Sequence, residues 1–218
     1  MTTATPTPPS QQMAAEPVVT LKGVSWQTFK TLLAEIGEDR TCRMAYDQGV
    51  LEIRMPLEEH EVPKGMLESF IEAIADELEI EIKKVGALSL KREDLIRFIE
   101  PYTCFYIQNE SQVRGRRINL EIDPPPDLAI ESDYTRSSIN KQSIYAALGV
   151  PELWRYTRQT LQVYHLVEGQ YELREESLAF PFLPVTEVPG FIEQSNTQGQ
   201  RTAVRLFRQR IRECLQTQ

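Results

Sequence analysis

Histidine and cysteine are scarce in this chain. Its 218 residues include two histidines, His60 and His165, and three cysteines, Cys42, Cys104 and Cys214. The cysteines are far apart and odd in number, with no C-x-x-C pair, which argues against a zinc knuckle or a thioredoxin-like centre and leaves reduced thiols as the reading. A zinc site built on histidine is poorly supplied. No apolar run approaches the ~20 residues that span a bilayer. No basic segment precedes an apolar core at the N-terminus, so the sequence reads as cytoplasmic, with no membrane partner. A glycine-rich phosphate loop is missing. An excess of basic residues is missing too: the net charge is −8, which argues against a protein that coats nucleic acid. It leaves room for an enzyme acting on DNA, because metal-binding carboxylates are themselves negative and a local basic stripe still binds phosphate. Lys83, Lys84, Lys91, Arg92 and Arg97 form one candidate stripe and Arg114, Arg116 and Arg117 another, with an ordinary solvated surface as the alternative for each.

What is present suits a folded domain: 41% of residues are hydrophobic and 26% charged, enough for one sizeable core. Residues 1–19, rich in Thr, Pro, Gln and Ala, predict a disordered tail, and residues 20–218 a single domain. Ser25 predicts an N-cap, with Trp26, Phe29, Leu32, Leu33 and Ile36 at helical spacing and Gly37 as the stop. Arg43 to Tyr46 and Val50 to Met55 flank an Asp47-Gln48-Gly49 turn and predict a hairpin. A helix follows Pro63, with Leu67, Phe70, Ile71, Ile74 and Leu78 on one side and Glu68, Glu72 and Asp76 as an acidic ridge. Ile80 to Val85, Cys104 to Ile107 and Leu128 to Ile130 read as strands. Ser137 or Ser138 caps a helix to Leu148. A strand meander over 153–174 and a helix over 202–215 complete the order. This is neither a Rossmann alternation nor an all-β sandwich. It predicts an α/β fold with a central mixed sheet flanked by helices.

The segment Pro126-Asp127-Leu128-Ala129-Ile130-Glu131 carries the chemistry. On a strand, positions i, i+2 and i+4 share a face, so Asp127, Ala129 and Glu131 point together. Two carboxylates flanking a small residue are the oxygen donors that Mg²⁺ or Mn²⁺ prefers. Lys141, ten residues beyond Glu131 on the next helix, is placed to return to them, and Tyr145 lies one turn later on the same face. A metal-activated water with a lysine to stabilise charge makes a phosphodiesterase site. Glu68 and His60 are candidates for reaching the same site as substrate contacts; an acidic helix face and a loop histidine with no role are the alternatives.

Pro126-Asp127-x3-Glu131, then Lys141 and Tyr145, then Gly149-Val150-Pro151-Glu152-Leu153-Trp154, resembles the Uma-two family of endonucleases in the PD-(D/E)XK superfamily over roughly residues 25–215. The resemblance implies a restriction-endonuclease-like fold, a divalent metal at Asp127 and Glu131, DNA as substrate and a homodimer. Two departures stand out. Tyr102, in Glu100-Pro101-Tyr102, occupies a position where relatives often carry the acid of a Pro-Asp pair. The lysine is absent from the E-x-K position, where Asp133 stands, so Lys141 is a migrated replacement. The expected function is therefore metal-dependent cleavage of DNA by Asp127, Glu131 and Lys141. The alternative is a weakened or inactive nuclease fold that binds nucleic acid or protein.

Overall fold

The structure is a computed structural model describing residues 16–37, 39–86, 88–132, 137–157 and 159–217, with the side chains of residues 58–60 also outside the description. Strand β1 (Val18–Lys22) leads into α1 (Trp26–Ile36), whose first turn is capped by the Ser25 hydroxyl accepting from the Thr28 N–H at 3.1 Å. The hairpin β2 (Arg43–Asp47) and β3 (Val50–Arg54) turns at Gln48 and Gly49, both at positive φ. Helix α2 (Glu58–Leu78) starts five residues before Pro63, which the sequence alone had placed ahead of the helix. Four short strands follow: β4 (Lys83–Lys84), β5 (Leu90–Arg92), β6 (Arg97–Ile99) and β7 (Thr103–Tyr106). A four-residue helix α3 (Glu110–Val113) sits in the expected loop. Strand β8 (Leu128–Ser132) is joined by α4 (Lys141–Leu148) to β9 (Glu152–Thr157), then β10 (Thr160–Val167), β11 (Gln170–Arg174), α5 (Val188–Gln198) and α6 (Gln200–Gln216).

The mixed α/β class holds, but the described strands divide between two sheets rather than one. The first runs β1-β3-β2-β6-β5 and is antiparallel throughout; the second runs β11-β10-β9-β8-β7-β4, with β8 and β9 its parallel pair. A parallel pair needs a crossover connection, and α4 supplies it. The expected tail over residues 1–19 is corrected at its inner end, because β1 pairs Val18 to Lys22 with β3 and Glu16 is buried. Residues 1–15 lie outside the described residues. None of the described helices is long and apolar enough to cross a membrane.

Side-chain alternation sets the layers. On the first sheet Met44, Tyr46, Leu51 and Phe98 pack with Phe29 of α1. Their neighbours Ala45 and Ile99 turn the other way and join Cys104, Ala129 and Leu153 of the second sheet and Ile144, Tyr145 and Leu148 of α4. The far face of the second sheet, with Phe105, Leu128, Ile130 and Trp154, packs on α2, α5 and α6, where Phe70 and Phe207 stack at 4.3 Å between ring centroids. Trp154 is thus core, as its strand position suggested.

Glu152 pins this core. It is fully buried, accepts from Trp154 Nε1 at 2.7 Å and from the Ala179 N–H at 2.9 Å, and joins β9 to the segment before α5. Burial pushes its carboxyl above the usual range, opposed by these donors. Both oxygens accept, so an amide in its place turns an N–H toward another donor. Glu152→Gln is expected to lower unfolding stability by about 1–3 kcal/mol in urea titration; an unchanged midpoint contradicts the assignment.

Candidate active site

Strand β8 runs between the layers, and its alternation is the one the sequence predicts. Leu128 and Ile130 face the helices, while Ala129 faces the first sheet and α4. Glu131 follows Ala129 by two residues onto that inner side. Its carboxylate, 2% exposed, accepts from Lys141 Nζ at 2.7 Å on Oε2 and from the Tyr145 hydroxyl on Oε1. Lys141 and Tyr145 are one turn apart on α4, so one helix face presents both to a single carboxylate. Three of the residues singled out in the sequence therefore meet: Glu131, Lys141 and Tyr145.

Asp127 does not join them. Four residues of strand separate it from Glu131 by about 13 Å, whereas one cation binds its oxygens at roughly 2.0–2.6 Å. Its carboxylate instead accepts from the N–H groups of Ile107 at 2.6 Å and Asn109 at 3.0 Å, and from Asn109 Nδ2 at 2.6 Å. Asp127 clamps the chain as it leaves β7. The expectation of a metal shared by Asp127 and Glu131 meets this obstacle: four residues of extended chain lie between them, and Asp127 is engaged at the exit of β7. Glu68 lies on α2 and pairs with Lys84 at 3.5 Å, on the side of the second sheet away from Glu131. His60 falls in the first turn of α2 and its side chain lies outside the described residues. His165 meets the Glu176 carbonyl at 2.8 Å through Nε2.

Around Glu131 stand Tyr102, which the sequence singled out as a departure, and further neighbours that the sequence reading missed. The register of β7 against β8 sets Tyr102 beside Glu131, and the Tyr102 N–H donates to the Ile130 carbonyl at 3.1 Å. The Arg43 guanidinium lies over the Tyr102 ring at 4.2 Å, and the Tyr102 hydroxyl donates to Glu16. Burial, then the Glu16 carboxylate, pushes the Tyr102 phenol far above its usual range, so it stays protonated. Arg54 pairs with Glu16 at 3.3 Å and Glu52 at 2.9 Å. Glu52 also accepts from the Ser137 hydroxyl at 2.8 Å and the Ser138 N–H at 2.9 Å. Burial raises the Glu52 carboxyl, but Arg54, Ser137 and Ser138 together outweigh it and leave it below the usual range. Glu100 takes Arg40, Ser89 and the Met44 N–H. Four carboxylates, Glu16, Glu52, Glu100 and Glu131, thus stand among four cations, Arg40, Arg43, Arg54 and Lys141. The signal available in sequence was charge at inward strand positions: Arg43, Glu52 and Arg54 alternate with the apolar face of their hairpin.

The space left inside is small. The cavity walled by Arg43, Glu52, Arg54, Glu100, Tyr102, Glu131 and Lys141 measures about 10 Å³, the room of roughly one water. Among the described residues, no three of His, Cys, Asp and Glu come together to hold a metal ion. Both oxygens of Glu131 are engaged and the neighbouring strand offers a phenol. In this arrangement the donor set does not fit the divalent ion that this type of centre calls for. The candidate basic stripes also resolve largely into local contacts: Lys83 with the carbonyls of Val113 and Arg116, Arg92 with Asp94, Arg97 with Asp47, Arg114 with Glu110 and Arg116 with Asp123.

No curated protein matches the chain in sequence. A solved structure described as a putative nuclease belonging to DUF820 from Anabaena variabilis ATCC 29413 superposes with a TM-score of 0.50 at 15% identity, covering 83% of this chain and 99% of the other; at that identity the likeness is one of fold. The sequence pattern of Uma2, described as a putative restriction endonuclease family, matches residues 26–194. The chain, with its β8 acid and α4 lysine in contact, belongs to the Uma2 family.

Proposed function

We propose that this chain is a nuclease-fold module that engages nucleic acid while its hydrolytic centre is silenced. One observation carries the reading: Tyr102 stands beside Glu131 where a second acid is expected, with the Glu131 oxygens taken up by Lys141 and Tyr145. A phenol held protonated by burial and by Glu16 is no substitute for an anionic ligand. The balance of charges inside makes the arrangement self-sufficient. Buried acids survive when paired and hydrogen-bonded.

A second reading is favoured by the Glu131–Lys141 contact itself, which is the pair a metal-dependent DNA endonuclease uses. In that reading Mg²⁺ or Mn²⁺ is the cofactor, Glu131 and Lys141 are catalytic and DNA phosphodiesters are cut. It requires the donor set around Glu131 to rearrange. Supercoiled plasmid with Mn²⁺, together with retention of a short duplex in a gel, separates the readings. The module reading expects duplex retention, nicking no faster than that of Glu131→Gln, and no heat of Mn²⁺ binding at millimolar concentration. Metal-dependent nicking that Glu131→Gln abolishes establishes the endonuclease and ends the module reading; failure to retain DNA also ends the module reading, without supporting the endonuclease.

Asp127 is tested separately as a clamp. Asp127→Ala leaves the Ile107 and Asn109 N–H groups without their acceptor and is expected to cost about 1–3 kcal/mol in urea unfolding. Undiminished stability combined with lost Mn²⁺ binding would return Asp127 to the role of ligand.

A further inference from the structure

A cleft of about 880 Å³ opens between α1, the β5 edge of the first sheet and the segment 117–120, within the size range of roughly 300–1,000 Å³ typical of small-molecule sites. Lys30, Arg40, Lys91 and Arg117 line it, and no carboxylate is among its described lining residues. Leu33, Leu88 and Ile118 give it an apolar wall. Arg40 forms part of the wall: its guanidinium is anchored on Gly37 and Glu100, and its side chain is largely buried. Lys30 and Lys91 share one carboxylate, the exposed Glu93, at 3.6 and 3.1 Å. Such surface pairs are weak and exchangeable.

We propose that this cleft binds a nucleoside phosphate, either free or as one unit of a strand. Lys30, Lys91 and Arg117 add positive charge to a wall in which Arg40 is held by Glu100, and several ammonium and guanidinium donors suit the several oxygens of a phosphate. The apolar wall suits a base and offers nothing to a bare inorganic anion. The inference extends the nucleic-acid reading, but it rests on the cleft alone and not on the chemistry at Glu131.

Titration calorimetry on the full chain, without metal, tests it with three probes: AMP, inorganic phosphate and a short single-stranded oligonucleotide. Saturable AMP binding that is weakened by about tenfold or more in Lys30→Ala/Lys91→Ala, and unchanged in Arg205→Ala on α6, supports a free nucleotide. Oligonucleotide binding with the same sensitivity, but no AMP binding, supports the strand. Ile118→Asp checks the apolar wall: it is expected to weaken the nucleoside probe while leaving the fold intact by circular dichroism. Three outcomes overturn the proposal: no binding of AMP or oligonucleotide, binding indifferent to the double substitution, or inorganic phosphate binding as tightly as AMP. Duplex retention measured alongside keeps the two proposals apart. Retention without AMP or oligonucleotide binding removes the cleft and leaves the module; cleft binding without retention does the reverse.

Discussion

An acid buried between two sheets must be neutralised, and the inner layer of this protein is organised around that requirement. Removing a carboxylate from water costs several kcal/mol unless charge and hydrogen bonds replace the lost hydration. Glu131 meets the cost through Lys141 and Tyr145, both from the helix that connects β8 to its parallel neighbour. The same helix packs Ile144 and Leu148 into the core between the sheets, so apolar packing places the ammonium group. Glu16, Glu52 and Glu100 repeat the solution with Arg54 and Arg40. The result is a closed electrostatic layer rather than an open basin of acids.

The contrast between Glu131 and Asp127 separates two jobs that one short motif seems to combine. Glu131 stands near the end of β8 and Asp127 just before its start. One ends among cations. The other ends among N–H donors at the turn out of β7. A carboxylate with three such donors is a backbone fastener, and its geometry is set by the turn it holds.

Local periodicity made much of the frame legible in sequence. The capped helix α1, the β2–β3 hairpin, the meander from β9 to β11 and the long terminal helix α6 all follow patterns of 3.6 or 2 residues. Lys141 and Tyr145 were legible as partners of Glu131 because a helical turn puts them on one face. Other features were not. Strand β6 is three residues long, and β1 lies within a stretch whose composition reads as tail. Helix α5 begins with Pro189 and Gly190 and owes its place to packing with α6 rather than to propensity. The charge layer was invisible because its members come from distant segments, and spacing along the chain says nothing of who faces whom. For Asp127, strand direction alone carried no measure of its separation from Glu131.

Glu16 gives the charge layer a consequence for assembly. The carboxylate that receives Tyr102 arrives on the strand that starts the described chain, whereas Lys141 arrives on a helix far downstream. The Tyr102–Glu16 contact closes a span of 86 residues and the Glu131–Lys141 contact one of 10, so the first carries the larger loop-closure cost. Until β1 docks on β3, Arg54 lacks one of its two acids and the phenol lacks its acceptor. Completion of this interior therefore depends on the docking of the first described strand as well as on the strands that frame it.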